Sequence, residues 1–448
     1  MLGMKRRRER RLSSSRIIIL GYAAAILLGS LLLMLPISTR DGRGAVFSDA
    51  LFTAASAGCV TGLVVQDTAT YWTAFGQSVI LLLIQIGGMG VVTVAVAISA
   101  VSGRKISLRQ RSTMQEAIAA PKVGGIVRLT GFIIKLTIIF ELLGAALMAP
   151  PFCREFGFLK GCWYAVFHSV SAFCNAGFDL MGDKEPYSSL TYFVSNPLIN
   201  CTVMALIIIG GIGFTTWDDV KINKYHIRKY RMQSKVILSA AGILILLPAV
   251  YFFFFEFSDM PVSERIWCSL FQSVTARTAG FNTADLSLIG DTGIAVMILL
   301  MLTGGSPGST AGGMKTTTLA VMVSTAVSVF RRREHTRFFG RRVEEETVRN
   351  AAAVLTMYLV LFLAGGCMIS GIEGIPLSVC LYETASAVGT VGLTLGITPD
   401  LGIVSQSILI LLMYIGRIGG LTLIFAASSV NRSNSNTARL PQEKMTVG

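Results

Sequence analysis

Four times along this chain, a short segment of small and hydroxyl-bearing residues that ends near a glycine lies between two long apolar runs. The segments read FTAASAGCVTGL (Phe52 to Leu63), FHSVSAFCNAGF (Phe167 to Phe178), FQSVTARTAGF (Phe271 to Phe281) and YETASAVGTVGL (Tyr382 to Leu393). The third is one residue shorter between its hydroxyl residue and its glycine. Repetition constrains a fold more than any single motif, because every copy must solve the same burial problem. The flanking runs cover 17–36 and 73–101, 127–149 and 192–216, 235–255 and 291–330, then 350–371 and 402–428. The first of them holds twenty residues without a charge, and a bilayer core needs roughly 20 helical residues.

Span, segment, span, repeated four times, predicts eight transmembrane helices in an all-α membrane protein with four pseudo-symmetric units around one pore. Only 14% of the 448 residues are charged, against about 25% in soluble domains, so lipid must solvate much of the surface. The basic residues cluster at Lys5 to Arg11, Arg104 to Arg111, Lys221 to Arg231 and Arg331 to Arg342. Each cluster precedes the first span or follows an even number of spans, which places both termini on the cytoplasmic side. That distribution argues against nucleic acid as the partner of the +14 net charge. The expected organisation is a basic N-terminus at 1–16, a first unit at 17–101, a linker at 102–126 and a second unit at 127–216. A linker at 217–234, a third unit at 235–330, a linker at 331–349, a fourth unit at 350–428 and a tail at 429–448 complete it. The first run is read as an uncleaved span, because it ends in Leu35-Pro36 rather than a small-residue cleavage site.

The short segments are too short to cross a bilayer and too apolar for surface loops, so each is expected to be a re-entrant half-helix. Irregular backbone at membrane depth survives only where protein buries it or water reaches it. Candidate cation ligands are the segment ends: Cys59-Val60-Thr61-Gly62, Cys174-Asn175-Ala176-Gly177, Thr278-Ala279-Gly280 and Gly389-Thr390-Val391-Gly392. Glycine presents its carbonyl at backbone angles other residues avoid, and rings of carbonyls replace the hydration shell of a monovalent cation. The competing reading of such small residues is helix packing; four aligned copies weigh against it. Metal or nucleophilic chemistry has no support, since the eight cysteines form no CxxC and the three histidines are scattered. Cys153 and Cys162 are read as free thiols, with a pairing outside the membrane as the alternative.

Beyond three of the segments the motif Ile-Gly-Gly-X-Gly recurs, at Ile86 to Gly90, at Ile209 to Gly213 and, with Arg417 inside it, at Ile415 to Gly419. The third unit carries instead Thr303-Gly304-Gly305-Ser306-Pro307-Gly308-Ser309-Thr310-Ala311-Gly312-Gly313-Met314-Lys315. So much glycine with a proline cannot hold a helix, and an intramembrane loop is expected at 303–315. A phosphate-binding loop is excluded, because Met314 separates Gly313 from Lys315. Arg417 and Lys315 are charges at membrane depth, where such residues are paired or functional. Arg277 and Glu383 are expected to pair behind the segment ends; Lys135 and Glu141 have no assignment.

Val60 to Thr68 (VTGLVVQDT), SAFCNAGF, RTAGFN and Thr390-Val391-Gly392 resemble the Trk/Ktr/HKT superfamily of potassium transporters, most closely its KtrB-type membrane subunit. The resemblance spans 17 to about 428. It implies potassium uptake through a four-part selectivity filter, with no covalent cofactor and a potassium ion in the filter. The loop Gly304 to Gly313 is implied as the gate, with Lys315 and with Arg417 helping to hold it; a packing role for Arg417 is the alternative. A homodimer and a separate cytoplasmic nucleotide-binding ring protein of the KtrA type are implied as partners, alongside membrane lipid at the basic inner loops. In that family a filter glycine in all four units goes with potassium, whereas serine in the first accompanies sodium. The glycines here are Gly62, Gly177, Gly280 and Gly392. Cys59 departs from the threonine frequent in close relatives. A sodium-dependent or sodium-permeable transporter of the same fold is the alternative function. A membrane enzyme lacks the clustered acid, base or metal groups it needs, and an inverted-repeat transporter would alternate the topology of its units.

If all units run in the same sense, single cysteines placed beside Asp67, Asp179, Asp285 and Asp400 react with an impermeant reagent added outside intact cells. Those beside Arg109, Arg228 and Arg333 do not; labelling of the second set contradicts the eight-span topology.

Overall fold

The computed structural model describes residues 13–101, 106–118 and 125–423. The basic residues of 1–12, Arg104 and Lys105, and the tail expected at 429–448 lie outside them. The first unit comprises α1 (Ser14–Leu33), α2 (Phe47–Cys59), α3 (Ala74–Met89) and α4 (Val91–Val101), followed by α5 (Leu108–Ala117). The second holds α6 (Ile126–Phe156), α7 (Phe158–Cys174), α8 (Pro197–Ile212) and α9 (Phe214–Asn223). The third holds α10 (Met232–Tyr251), prolonged by a π turn over Phe252–Glu256, with α11 (Val262–Thr275), α12 (Asp291–Leu302) and α13 (Thr316–Phe330). A two-residue antiparallel ladder, β1 (Arg337–Phe338) on β2 (Arg341–Arg342), precedes the fourth unit of α14 (Glu345–Glu373), α15 (Leu377–Gly389) and α16 (Ile403–Ile418).

Burial is distributed inside out. The short helices α2, α7, α11 and α15 carry the four repeated segments, and Phe52, Ser56, Phe167, Ser171, Phe271, Thr275, Tyr382 and Ser386 are all fully buried. The long helices expose apolar side chains instead, among them Leu28, Leu142, Leu247 and Phe255. Among the described residues, four helices, α1, α6, α10 with its π turn, and α14, are long and apolar enough to cross a membrane unbroken. These are the first spans of the four units, and the chain is a multi-pass membrane protein.

The second spans depart from the continuous helices expected at 73–101 and 192–216. At Gly90 the chain turns by 94° between α3 and α4, and at Gly213 by 93° between α8 and α9. Both glycines have positive φ, +85° and +97°, which costs other residues steric strain. The final glycine of Ile-Gly-Gly-X-Gly is therefore a hinge, and Gly419 ends α16 with the same geometry, φ +85°. The linker expected from 217 is helical through Asn223, while α10 and α14 begin at Met232 and Glu345, earlier than 235 and 350. Trp217 on α9 donates from its indole to the Ile209 carbonyl at 2.9 Å and fixes the second bend. In the third unit the interruption falls at 303–315, as the glycine content predicts.

The first glycine of each motif has a packing role. A side chain on Gly87, Gly210 or Gly416 would collide with the carbonyl of Gly58, Phe173 or Val388, at equivalent points near the ends of α2, α7 and α15. Each second span thus presses its backbone onto the end of its own unit's short helix. At the other end of the fourth unit's second span, Glu373 accepts from the Gly402 amide at 2.9 Å and from the Ser405 hydroxyl at the start of α16. Glu256 does the same for α12 through the Gly290 amide at 3.1 Å. A carboxylate at a helix N-terminus satisfies free amides and meets the positive end of the helix dipole. Glu373→Ala should destabilise the detergent-solubilised protein by about 1 kcal/mol, the usual cost of removing a helix cap. Thermal unfolding checks this, with Glu373→Gln falling between the alanine variant and wild type.

Candidate functional site

Three of the short helices end in the same way. The N–H groups of Val60, Asn175 and Thr390 bond back to Ala57, Ala172 and Ala387, and those of Thr61, Ala176 and Val391 to Ser56, Ser171 and Ser386 at 2.8 Å. That is a Schellman C-cap, which needs a left-handed residue at its turn. Val60, Asn175 and Thr390 supply it, with φ of +58°, +59° and +51°. Glycine is the ordinary choice there, and a β-branched residue at positive φ is a genuine outlier. Such strain is of order 1–3 kcal/mol per residue and persists only where the surroundings impose it. In the third unit the helix stops earlier: Ala279 bonds to Thr275 at 2.9 Å, and Thr278 takes the positive φ, +83°. The missing residue is absorbed in the turn, so the glycine still reaches its place.

The four strands that follow converge. Gly62, Gly177, Gly280 and Gly392 all have positive φ, between +70° and +98°. A Cβ built on Gly62 would stand 2.5 Å from the Ala176 carbonyl oxygen, and one on Gly177 would stand 2.7 Å from that of Ala279. On Gly280 it would strike the Val391 carbonyl, and on Gly392 the Thr61 carbonyl. The contacts run from unit one to two, two to three, three to four and four to one. They close a ring of four glycines and four carbonyl oxygens.

A hydroxyl steadies each strand. Ser56 and Ser386 accept from the Gly62 and Gly392 amides at 3.0 Å. Ser171 and Thr275 donate instead to the Phe178 and Phe281 carbonyls, at 2.7 and 2.6 Å. Hydroxyl residues stand out in these segments of the sequence, but their task shows only in the fold. Their constant place, six residues before the glycine and five in the shortened unit, is the signal that carries it. Cys59 and Cys174, the last helical residues before the turns, are fully buried. The Thr61 and Thr390 hydroxyls are buried without a hydrogen-bond partner.

Directly against the ring lies the loop between α12 and α13. Side chains on Gly312 and Gly313 would strike Thr390 and the Gly389 carbonyl. The Gly313 amide donates to the Gly416 carbonyl at 3.1 Å, tying the loop to the fourth unit. Toward the second unit, Ser306 and Thr310 donate from their amides to the Gly211 and Gly210 carbonyls, and Gly308 accepts from the Phe214 amide at 2.8 Å. The Thr310 hydroxyl reaches the Phe173 carbonyl at 3.0 Å. Arg417 completes the set. Its guanidinium donates to the Thr310 carbonyl and to the carbonyls of Gly87 and Gly88 in the first unit, and it lies 3.4 Å from the Tyr22 hydroxyl. Gly304, Gly305, Ser306 and Thr310 to Gly313 are buried, with Pro307, Gly308 and Ser309 half-buried. Lys315 stands at the start of α13 and turns back to the Ala311 carbonyl at 2.9 Å.

One expected contact does not form. Arg277 and Glu383 do not pair. Glu383 is satisfied within its own unit by the Thr394 and Thr398 hydroxyls, the latter at 3.0 Å, and the Arg277 Nε is buried without a partner. Glu383 needed no distant cation, because hydroxyls of the strand after its own helix reach it first. Cys153 and Cys162 are free, with their sulfurs 3.7 Å apart. Glu141, unassigned from sequence, accepts from Gln85 of the first unit at 3.3 Å and lies 3.9 Å from the Cys174 sulfur. Lys135 is exposed on α6.

The chain matches the family model described as TrkH, cation transport protein, over residues 17–438. It is 37% identical to the potassium/sodium uptake protein NtpJ of Enterococcus hirae, with 99% of each chain covered. It is also 37% identical to the Ktr system potassium uptake protein B of Bacillus subtilis over 95% of each. The crystal structure of the potassium transporter TrkH from Vibrio parahaemolyticus superposes with a TM-score of 0.74 over 94% of this chain and 86% of that one, at 19% identity. The order of elements, the four-unit ring and these relatives converge: the chain belongs to the TrkH family of cation transport proteins.

Proposed function

We propose that this chain takes up potassium across the cell membrane as the pore-forming subunit of a gated, channel-like system, with both termini cytoplasmic. The observation that carries the reading is the closed ring of Gly62, Gly177, Gly280 and Gly392 against the carbonyls of Ala176, Ala279, Val391 and Thr61. Carbonyl oxygens stand in for the water a potassium ion must shed. The C-terminal ends of α2, α7, α11 and α15 add partial negative charge toward the same point. The Cys59 to Gly62, Cys174 to Gly177, Thr278 to Gly280 and Gly389 to Gly392 segments form the filter in this reading. Two close relatives are named for potassium uptake, which supports the choice of ion.

The NtpJ relative is named for sodium as well, and that favours a second reading, in which sodium also permeates or activates the pore. Uptake assays in cells that lack their own potassium transporters distinguish the two. Gly62→Ser places a side chain against the Ala176 carbonyl and Gly177. A loss of about 1.4 kcal/mol in potassium stabilisation there lowers the potassium-to-sodium uptake ratio about tenfold. An unchanged ratio in a correctly inserted variant contradicts the filter assignment.

The loop from Gly304 to Gly313 acts as the gate, held shut by Arg417 and by Lys315. It bonds to the second and fourth units, and Arg417 links it to the first. It packs against the turn of the fourth filter segment at Gly389 and Thr390, where movement opens or closes the path. An obstruction of ~3 kcal/mol slows passage more than a hundredfold. A homodimer regulated by a separate nucleotide-binding ring protein, docked on the basic inner loops, supplies the stimulus. Arg417→Ala, or a shortened loop, should raise potassium flux into liposomes and weaken dependence on that regulator. Folded variants with unchanged or lower flux contradict the gating role.

A further inference from the structure

Behind the ring, between the second and third units, lies a cavity of about 20 Å³, bounded by the filter turn at Asn175 and the start of the gate loop at Gly305 and Ser306. Asn175, Arg277, Gly305 and Ser306 line it on the polar side, and Ile208 and Ile245 are among the apolar residues that close the rest. The hydrogen-bonding capacity left unspent there is unusual. The Ser306 hydroxyl is buried, on a residue 1% exposed, and has no partner. The Arg277 Nε is likewise buried and unpartnered. Asn175 gives one amide N–H to the Thr278 hydroxyl at 3.2 Å, and its oxygen faces the Thr310 hydroxyl at 3.5 Å. Its second N–H remains. A guanidinium offers only donors, and a hydroxyl has one to give. The cavity can therefore turn three donors toward a guest, the Arg277 Nε–H, the Ser306 O–H and the second Asn175 N–H, beside a positive charge.

No acidic side chain pairs with Arg277 among the described residues. The carboxylate expected to do so, Glu383, is spent on Thr394 and Thr398. Arg277 is half-buried with its Nε enclosed, and a charge at membrane depth without a counter-charge is costly. A water would satisfy single donors but leave the charge uncompensated. The volume admits one guest of about the size of a water, too little for a phosphate, a sulfate or a lipid headgroup.

We propose that this cavity binds a single monovalent halide, chloride under ordinary conditions, held by Arg277, Ser306 and Asn175. The ion neutralises Arg277, which directly precedes the filter residue Thr278, so its positive charge no longer opposes cations in the ring. It also joins the start of the gate loop, at Gly305 and Ser306, to the filter turn at Asn175. The site is independent of which cation the ring conducts.

Crystals of the full chain grown in bromide instead of chloride test this directly through the anomalous signal of bromine. A single peak within hydrogen-bonding reach of Arg277 and Ser306, lost in Ser306→Ala crystals, is the expected result. Water alone in the cavity of bromide-grown wild-type crystals overturns it. Thermal melting of the purified protein gives a second reading with no crystal. Wild type should melt several degrees higher in chloride than in gluconate, which is too large to enter, and Arg277→Gln should be indifferent to the exchange. Should Arg277→Gln fail to fold, Ser306→Ala with a reduced chloride response replaces it. Equal melting of wild type in the two salts also overturns the proposal.

Discussion

Four backbones approach one axis this closely only where none of them carries a side chain. At Gly62, Gly177, Gly280 and Gly392 a single added carbon would meet a carbonyl of the neighbouring unit. Everything around the ring serves that approach. The strained turns at Val60, Asn175 and Thr390 aim each strand, and Ser56, Ser171, Thr275 and Ser386 hold it. The close seats of Gly87, Gly210 and Gly416 then clamp the short helices from behind. A native protein tolerates such local strain where the surrounding packing over-determines it, and here the packing comes from four directions at once.

The departures from fourfold symmetry are as informative as the symmetry. Two units bend their second span at a glycine, Gly90 and Gly213, the fourth ends α16 at Gly419, and the third opens its second span into a loop from Gly304 to Gly313. That loop takes its hydrogen bonds from the second and fourth units, while Arg417 gathers it with carbonyls of the first. All four units therefore bear on this one loop. The third unit is also the one whose turn before the ring glycine is a residue short and whose arginine, Arg277, lacks a carboxylate among the described residues. The departures from fourfold symmetry around the ring are concentrated in this quarter of the chain.

Much of this was legible from the residues. Alternation of apolar runs with glycine-ended segments predicts the units, because a bilayer fixes the length of a span and a re-entrant segment cannot meet it. The glycines of the ring were legible for the same reason, since four copies align on them. The right-angle bends at Gly90 and Gly213 were not, because an apolar helix and two apolar helices at a hinge have the same hydropathy. The pairing of Arg277 with Glu383 failed on local geometry. Sequence shows two opposite charges in two of the repeated segments; it does not show that Thr394 and Thr398 reach the carboxylate first. The hydroxyl brackets lay in plain view, but a serine among alanines reads as a packing residue until its partner is seen.

The most direct test of the account is the position of a permeant ion. Rubidium substitutes for potassium and scatters anomalously, so crystals grown in rubidium locate it without reference to transport assays. A rubidium peak on the axis, shared among the carbonyls of Thr61, Ala176, Ala279 and Val391, is the result predicted. A protein that binds rubidium elsewhere while the ring stays unoccupied would contradict the claim that these four strands are the site of ion selection.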